Sequence, residues 1–242
     1  MKILVIDVGG THVKVLATGH RKPIKIPSGP TMTAKKMVEL VRKPTAGWKY
    51  DVVSIGYPGA VVHGMPVAEP HNLGPGWIGF DFAKAFGRPA KVINDAAMQA
   101  LGSYSGGRML FLGLGTGLGS AMIVDGVVQP MELAHLPYKH GHTYEDYLGL
   151  AGLQRRGKKK WKSHVMAVVE QLKQALEPDY VVLGGGNVRL LKKLPRGVRA
   201  GNNDNAFLGG FRLWVHPDRR HQFKSLNDEV AEAADAAGSK VE

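Results

Sequence analysis

Cysteine is absent from the 242 residues. That excludes disulfides, thiolate metal sites and cysteine nucleophiles together, and it fits a reducing cytoplasm. No apolar run is long enough to span a bilayer. The opening run Ile3-Leu4-Val5-Ile6 ends in a carboxylate after four residues, so neither a signal peptide nor a membrane partner is expected. Aromatic residues are few, at 7%, and do not interleave with the basic runs as base-stacking platforms do, so no specific nucleic acid is expected as a partner. Acidic side chains are also scarce, 20 against 32 basic ones, for a formal charge of +12. The basic residues gather at Arg155, Arg156, Lys158, Lys159, Lys160 and Lys162, and again at Lys192, Lys193, Arg196 and Arg199. Such runs attract polyanions, or are simply a solvated face.

What is present in excess is glycine at turns. Asp7-Val8-Gly9-Gly10-Thr11 lies between two apolar runs and reads as strand, tight turn, strand. Adjacent glycines leave backbone N–H groups facing outward, and the carboxylate beside them suits a phosphate with its metal ion; an ordinary hairpin turn is the plainer alternative. A second run, Gly113-Leu114-Gly115-Thr116-Gly117-Leu118-Gly119, reads as another turn between strands. Four glycines at alternate positions forfeit packing, and close approach of a phosphate chain is a use that compensates. Neither run is a P-loop or a dinucleotide fingerprint, because no Gly-Lys-Ser/Thr follows and no helix opens directly. Gly184-Gly185-Gly186 follows a third strand-like run.

Strand-like and helical runs alternate, which predicts an α/β protein long enough for one large domain or two small lobes. Strands are expected over 2–8, 13–17, 22–27, 52–55, 90–93, 110–112, 120–124, 124–129 and 180–183. Helices are expected over 33–41, capped by Thr33, and over 82–86, 96–104 and 163–176, with a last one inside 203–214. Residues 103–108 read as a linker, after which the strand–glycine–strand pattern restarts.

Asn94-Asp95 falls at the carboxyl end of one strand and the start of a helix, the edge where open α/β sheets bind ligands. Asp95 there is either a base that takes a proton from an attacking hydroxyl or a plain helix cap, and the two glycine turns favour the base. Glu132, His135 and Glu145 are carboxylates and an imidazole of the kind that grip vicinal sugar hydroxyls, though a cap and a satisfied histidine would look the same. The spacing of His135, His140 and His142 matches no zinc pattern, so no zinc is expected.

Taken as a set, these motifs resemble the ROK family of sugar kinases and sugar-responsive regulators, and most of all its polyphosphate glucokinases. The resemblance runs over 1–214: Ile6 to Thr11 with Lys14, Gly56-Tyr57-Pro58-Gly59, Asn72-Leu73 with Trp77-Ile78-Gly79, Asn94-Asp95-Ala96, Leu114 to Ala121, Glu132-Leu133-Ala134-His135-Leu136, and Pro178 to Gly186. It implies two ribonuclease H-like lobes of the actin and hexokinase type around a central cleft. Residues 1–105 would form the first lobe, 106–205 the second, 206–226 a helix returning to the first, and 227–242 a disordered tail. It implies a kinase acting on the 6-hydroxyl of glucose or a similar hexose, with polyphosphate, ATP or both as donor. Asp95 would be the base, and Asn72, Asn94, Glu132, His135 and Glu145 would hold the sugar. Gly9, Gly10, Thr11, Lys14, Gly115, Thr116 and Gly117 would hold the donor phosphates, Gly185 and Gly186 would lie against an adenosine, and Asp7 would position Mg²⁺ through water. A cytoplasmic homodimer is expected, and a non-catalytic sugar-binding regulator on the same fold is the alternative. Two departures stand out: Ala134 replaces a family glycine, and Thr11-His12 replaces the Ser-Gly usual in polyphosphate glucokinases.

Overall fold

A computed structural model describes residues 1–219. The chain runs β1 (Ile3–Val8), β2 (His12–Ala17), β3 (Ile24–Pro27), α1 (Ala34–Arg42), β4 (Val52–Tyr57), β5 (Val61–Val62), β6 (Met65–Pro66), α2 (Phe82–Phe86), β7 (Ala90–Asn94) and α3 (Asp95–Ser103). It continues with β8 (Arg108–Leu114), β9 (Leu118–Val124), β10 (Val127–Met131), α4 (Tyr144–Leu148), α5 (Leu150–Leu176), β11 (Tyr180–Gly184), β12 (Val198–Ala200) and α6 (Asn205–Arg212). Two five-stranded sheets form, ordered β3-β2-β1-β4-β7 and β10-β9-β8-β11-β12. Each is three antiparallel strands joined by tight turns and then extended by parallel strands beside the first. The same plan thus occurs twice, once in each of the two expected lobes. No helix among the described residues is long and apolar enough to cross a membrane.

Local chemistry sets the element ends. Thr33 caps α1 by accepting from the Lys36 N–H, and Gly87 ends α2 in the left-handed region at φ 66°. The core of the first lobe gathers around Leu4, Ile6, Ile55 and Trp77, and that of the second around Leu110, Leu112, Trp161 and Val169, all fully buried.

Helices α3 and α6 lie between the sheets and fix one lobe to the other. A side chain on Gly102 would strike the backbone of Asn205, and one on Gly209 would strike the carbonyl of Met98, so these two glycines let the helix backbones touch. The buried Arg212 donates through Nη1 to the carbonyls of Leu101, Gly102 and Tyr104, closing the carboxyl end of α3 where a positive charge meets the helix dipole favourably. Ser54 donates to the Gly210 carbonyl at 2.6 Å, which seats α6 on the first sheet.

Several elements differ from the sequence expectation. Strand β10 begins at Val127, because Asp125 (φ 49°) and Gly126 (φ 77°) form a two-residue hairpin turn after Val124. Gly113 and Gly119 are strand residues paired with each other, so the second turn is only Gly115-Thr116-Gly117. Helix α5 starts at Leu150, well before 163, and has one non-helical residue, Gly157 at φ 72° and ψ 162°. Its added part is rich in Leu, Lys and Arg, all good helix formers, which outweigh the two glycines Gly152 and Gly157. The segment 103–108 is a fastened connection rather than a loose linker: the Tyr104 hydroxyl donates to the Gly107 carbonyl and accepts from the Gly126 N–H, and the Ser105 N–H reaches the Tyr180 hydroxyl at 2.9 Å. Helix α6 ends at Arg212, followed by a 3-10 turn over Pro217–Arg219. Residues 220–226 of the expected last helix, and the expected tail 227–242, lie outside the described residues.

Glu69, which the sequence did not single out, organises the loop ahead of α2. Its carboxylate accepts from the N–H groups of Gly76, Trp77 and Ile78, and Trp77 beneath it is fully buried with its indole N–H on the Gly74 carbonyl. Glu69→Ala leaves three N–H groups without that acceptor. It is expected to cost about 1–2 kcal/mol and to red-shift the tryptophan emission as Trp77 gains water. An unchanged emission spectrum would show that the loop holds without it.

Candidate active site

The first sheet brings Asp7, Gly56 and Asn94-Asp95 to one edge. Asp7 is in register with Gly56 on β4, and Gly56 with Ile93 on β7, so the carboxyl ends of three neighbouring parallel strands finish at one level. There Gly9 to Thr11 form the turn between β1 and β2. The Gly9 N–H bonds the His12 carbonyl at 3.0 Å, and Ser28 donates to the Gly9 carbonyl at 2.6 Å. Lys14, opposite Asp7 across the β1–β2 pair, places Nζ 3.1 Å from Asp7 Oδ2. Asn72 packs against Gly10, on the edge of this turn. Thr11 and His12 are exposed and bond one another through Oγ1 and Nδ1 at 3.3 Å.

The second sheet contributes Gly115-Thr116-Gly117 at the end of the β8–β9 hairpin. Gly184 pairs with Gly113, so the third glycine cluster stands beside this turn. Gly185, at φ 82°, lies against the backbone of Leu114 where a side chain has no room. Asn187, missed in the sequence, donates through Nδ2 to the Gly115 carbonyl at 3.1 Å and through its N–H to the Leu114 carbonyl. Glu145 accepts from the Leu118 N–H at 2.9 Å and crowds Gly117, so its carboxylate braces the second turn.

One glycine joins the halves. A Cβ on Gly119 would collide with the Cβ of Ala96, the residue after Asp95. Its absence lets the first turn of α3 settle on the start of β9. Asp95 therefore stands at the first sheet's edge and beside the second lobe's turn at once.

Asn94 is the cap of α3: its Oδ1 accepts from the Ala97 N–H at 3.1 Å, while its Nδ2 donates to the Gly59 carbonyl at 3.1 Å. The cap role open for Asp95 thus belongs to its neighbour. Asp95 Oδ1 accepts from the Ala96 N–H at 2.7 Å. Burial holds the Asp95 carboxyl far above the usual carboxylate range, at about 7, the negative charge of Asp7 raising it further, against the pull of the Ala96 N–H. Glu132 adds a smaller push in the same direction, which sets it within electrostatic reach of Asp95. Glu132 and His135 flank a 3-10 turn, both exposed, with His135 Nε2 3.8 Å from Glu132 Oε2. Of the other histidines, His142 pairs with Asp146 at 3.5 Å, and no group of three or more His, Cys, Asp or Glu converges among the described residues.

A half-protonated carboxyl near neutral pH, between two glycine turns whose N–H groups suit phosphate oxygens, can accept a proton from a hydroxyl as that oxygen attacks phosphorus. No protein-family model matches the chain. A polyphosphate glucokinase of Mycobacterium tuberculosis (strain CDC 1551 / Oshkosh) is 30% identical to it over 214 residues, 78% of each chain. The inorganic polyphosphate/ATP-glucomannokinase from Arthrobacter sp. strain KM superposes with a TM-score of 0.72 at 24% identity, covering 86% of this chain and 96% of its own. A ROK family glucokinase from Streptomyces griseus, solved in complex with glucose and AMPPNP, superposes at 0.66 and 17% identity, over 88% of this chain and 99% of its own. The doubled sheet plan, the two glycine turns and these relatives agree: the chain belongs to the ROK family of sugar kinases, and within it is like the polyphosphate glucokinases.

Proposed function

We propose that this enzyme is a glucokinase that transfers the terminal phosphoryl group of polyphosphate, ATP or both to the 6-hydroxyl of glucose, with Asp95 as general base. The observation that carries this reading is the placement of Asp95, at the joint between the first sheet's ligand edge and the second glycine turn, with its proton affinity tuned close to neutral pH. The donor assignment draws on the polyphosphate glucokinase relative and the polyphosphate/ATP-glucomannokinase neighbour.

The sugar would enter from the side of Glu132 and His135, whose exposed side chains are available to hydroxyls. Asn72, Asn94 and Glu145 stand near by, each already tied to a turn or a helix end, so they would orient the sugar without needing to rearrange. Gly9, Gly10, Thr11 and Lys14 would meet the transferring phosphate from one side, and Gly115, Thr116 and Gly117 the rest of the donor from the other. Gly185 and Gly186 would lie against an adenosine. Mg²⁺ favours one or two carboxylates together with substrate phosphates and water, and the residues fit that habit: Asp7 is a partly exposed oxygen donor at the phosphate turn, and no all-protein cage competes among the described residues. Asp7 would hold the ion through water, and the ion when bound neutralises donor phosphate charge. Family likeness supports a homodimer, and the lack of cysteine fits a reducing cytoplasm.

The pH profile tests the base. Asp95 must be ionised to accept the proton, so kcat/KM is expected to rise about tenfold per pH unit below 7 and to level off above it. Asp7→Asn removes a charge that raises the Asp95 pKa, so the midpoint should move to lower pH even as activity drops. A flat profile between pH 5 and 8 would remove Asp95 as the titrating base, and glucose binding with no phosphorylation under any donor would sink the catalytic reading and leave a sugar sensor.

A further inference from the structure

Helix α5 begins on the donor turn. The Leu150 N–H donates to the Thr116 carbonyl at 3.0 Å, so the helix departs from the middle residue of Gly115-Thr116-Gly117. Arg155 and Arg156 come within about 9 Å along its axis at roughly 1.5 Å per residue. The Arg156 guanidinium carbon stands over Tyr147, 3.6 Å from the ring centre, and Arg155 donates to the Asp146 carbonyl at 2.8 Å. The break at Gly157 then restarts the helix, and the indole N–H of the fully buried Trp161 on the Leu148 carbonyl locks that restart in place. Lys158, Lys159 and Lys160 follow, all exposed, and among the described residues no carboxylate pairs with any of them. The far end of the helix is different: its one acidic residue, Glu170, is paired with Lys173 at 3.3 Å. Positive charge is therefore concentrated on the part of α5 next to the donor turn and falls away beyond it.

The geometry points to a track for a long polyanion: Lys158, Lys159 and Lys160 bind the part of a polyphosphate chain that trails out of the cleft past Thr116. Three successive lysines fan out around the helix, and their long flexible stems let unpaired ammonium groups gather on a linear chain with one negative charge per phosphate without a fixed spacing. Nucleic acid fits less well. The aromatic rings within the basic stretch are withdrawn, Trp161 into the core and Tyr147 under Arg156, which leaves no platform for bases. The track rests on polyphosphate being a donor, and it makes the enzyme selective for chain length.

The test is K158Q/K159Q/K160Q in the full chain, assayed with tripolyphosphate and with long-chain polyphosphate. With long chains KM should rise on the order of tenfold and the salt dependence of KM should flatten, as when phosphate contacts are removed from a polyanion complex. KM for tripolyphosphate and for glucose should not change. K192Q/K193Q/R196Q, which removes the same charge from another surface, should leave long-chain KM alone. Equal effects on long and short donors, equal effects of the two triple variants, or no effect at all would overturn the track. So would single-stranded RNA binding to the same lysines as tightly as polyphosphate at physiological salt. If the wild type transfers nothing from polyphosphate, the donor assignment has failed. The track is then read by anisotropy of labelled long-chain polyphosphate, where binding lost only in K158Q/K159Q/K160Q supports it and absence of wild-type binding overturns it.

Discussion

Asp95→Asn is expected to lower kcat by about 10²–10⁴-fold, the usual contribution of a positioned base, while glucose binding is largely spared. The amide has the same shape, and its oxygen can keep the bond from the Ala96 N–H. The same change should make the folded protein more stable at alkaline pH. A carboxyl held at about 7 when folded, against about 4 when unfolded, keeps its proton longer in the folded state. Between those values the folded form carries one more proton than the unfolded form, so stability falls as pH rises from about 4 to about 7 and stays lowered above that. The loss is on the order of 2–4 kcal/mol, the lower figure allowing for the part of Asp95 that remains open to the cleft. Asn cannot ionise and escapes it. Denaturant titrations of both proteins at pH 5 and pH 8 should show the variant gaining on the wild type as pH rises. Kinetics like those of the wild type would remove Asp95 from the mechanism, and a pH-independent stability difference would show that its carboxyl is an ordinary one.

The second large effect is structural. Gly209→Val places a branched side chain against the Met98 carbonyl, where backbone meets backbone and nothing flexible can give way. Overpacking ordinarily costs 1–3 kcal/mol, and with no side chain to repack the expected loss is about 3 kcal/mol or more. For a chain of this size that lowers Tm by roughly 6–12 °C. Gly47→Ala is the matched control: nothing lies near its added methyl, and its effect should stay within about 0.5 kcal/mol. A Gly209→Val protein that melts with the wild type would mean that α3 and α6 slide apart freely and do not bind the lobes together.

Much of the fold was legible because its signals are local. Apolar runs ending in Gly-Gly or Gly-x-Gly mark the first hairpin of each lobe, and Thr33, Asn94 and Gly87 sit at helix ends where their side chains or backbone freedom are needed. The candidate site was legible for the same reason, since Asp7, Asp95 and both turns all lie at strand ends. What stayed hidden depends on distant contacts. Gly119 reads like a phosphate-binding glycine and instead makes room for Ala96, 23 positions earlier in the chain. Asn187 supports a turn 72 residues away, and Glu69 reaches forward to three N–H groups of a loop with no pattern of its own. The basic half of α5 was obscured by Gly157 and by a run of charge that carries no helical apolar period, although its residues favour helix. The Asp125-Gly126 turn was a readable signal passed over.

The seating of Asp95 on α3 has a kinetic corollary. That helix is clamped by α6 on one flank and by Arg212 at its far tip, so any rotation of one lobe against the other would have to turn about it. Points on a rotating body travel in proportion to their distance from the axis. On such a rotation the proton acceptor, mounted near the axis, would scarcely shift, whereas the outer strands β3 and β12 would sweep the widest arcs. A slow closing step would therefore be felt in substrate capture before it is felt in proton removal.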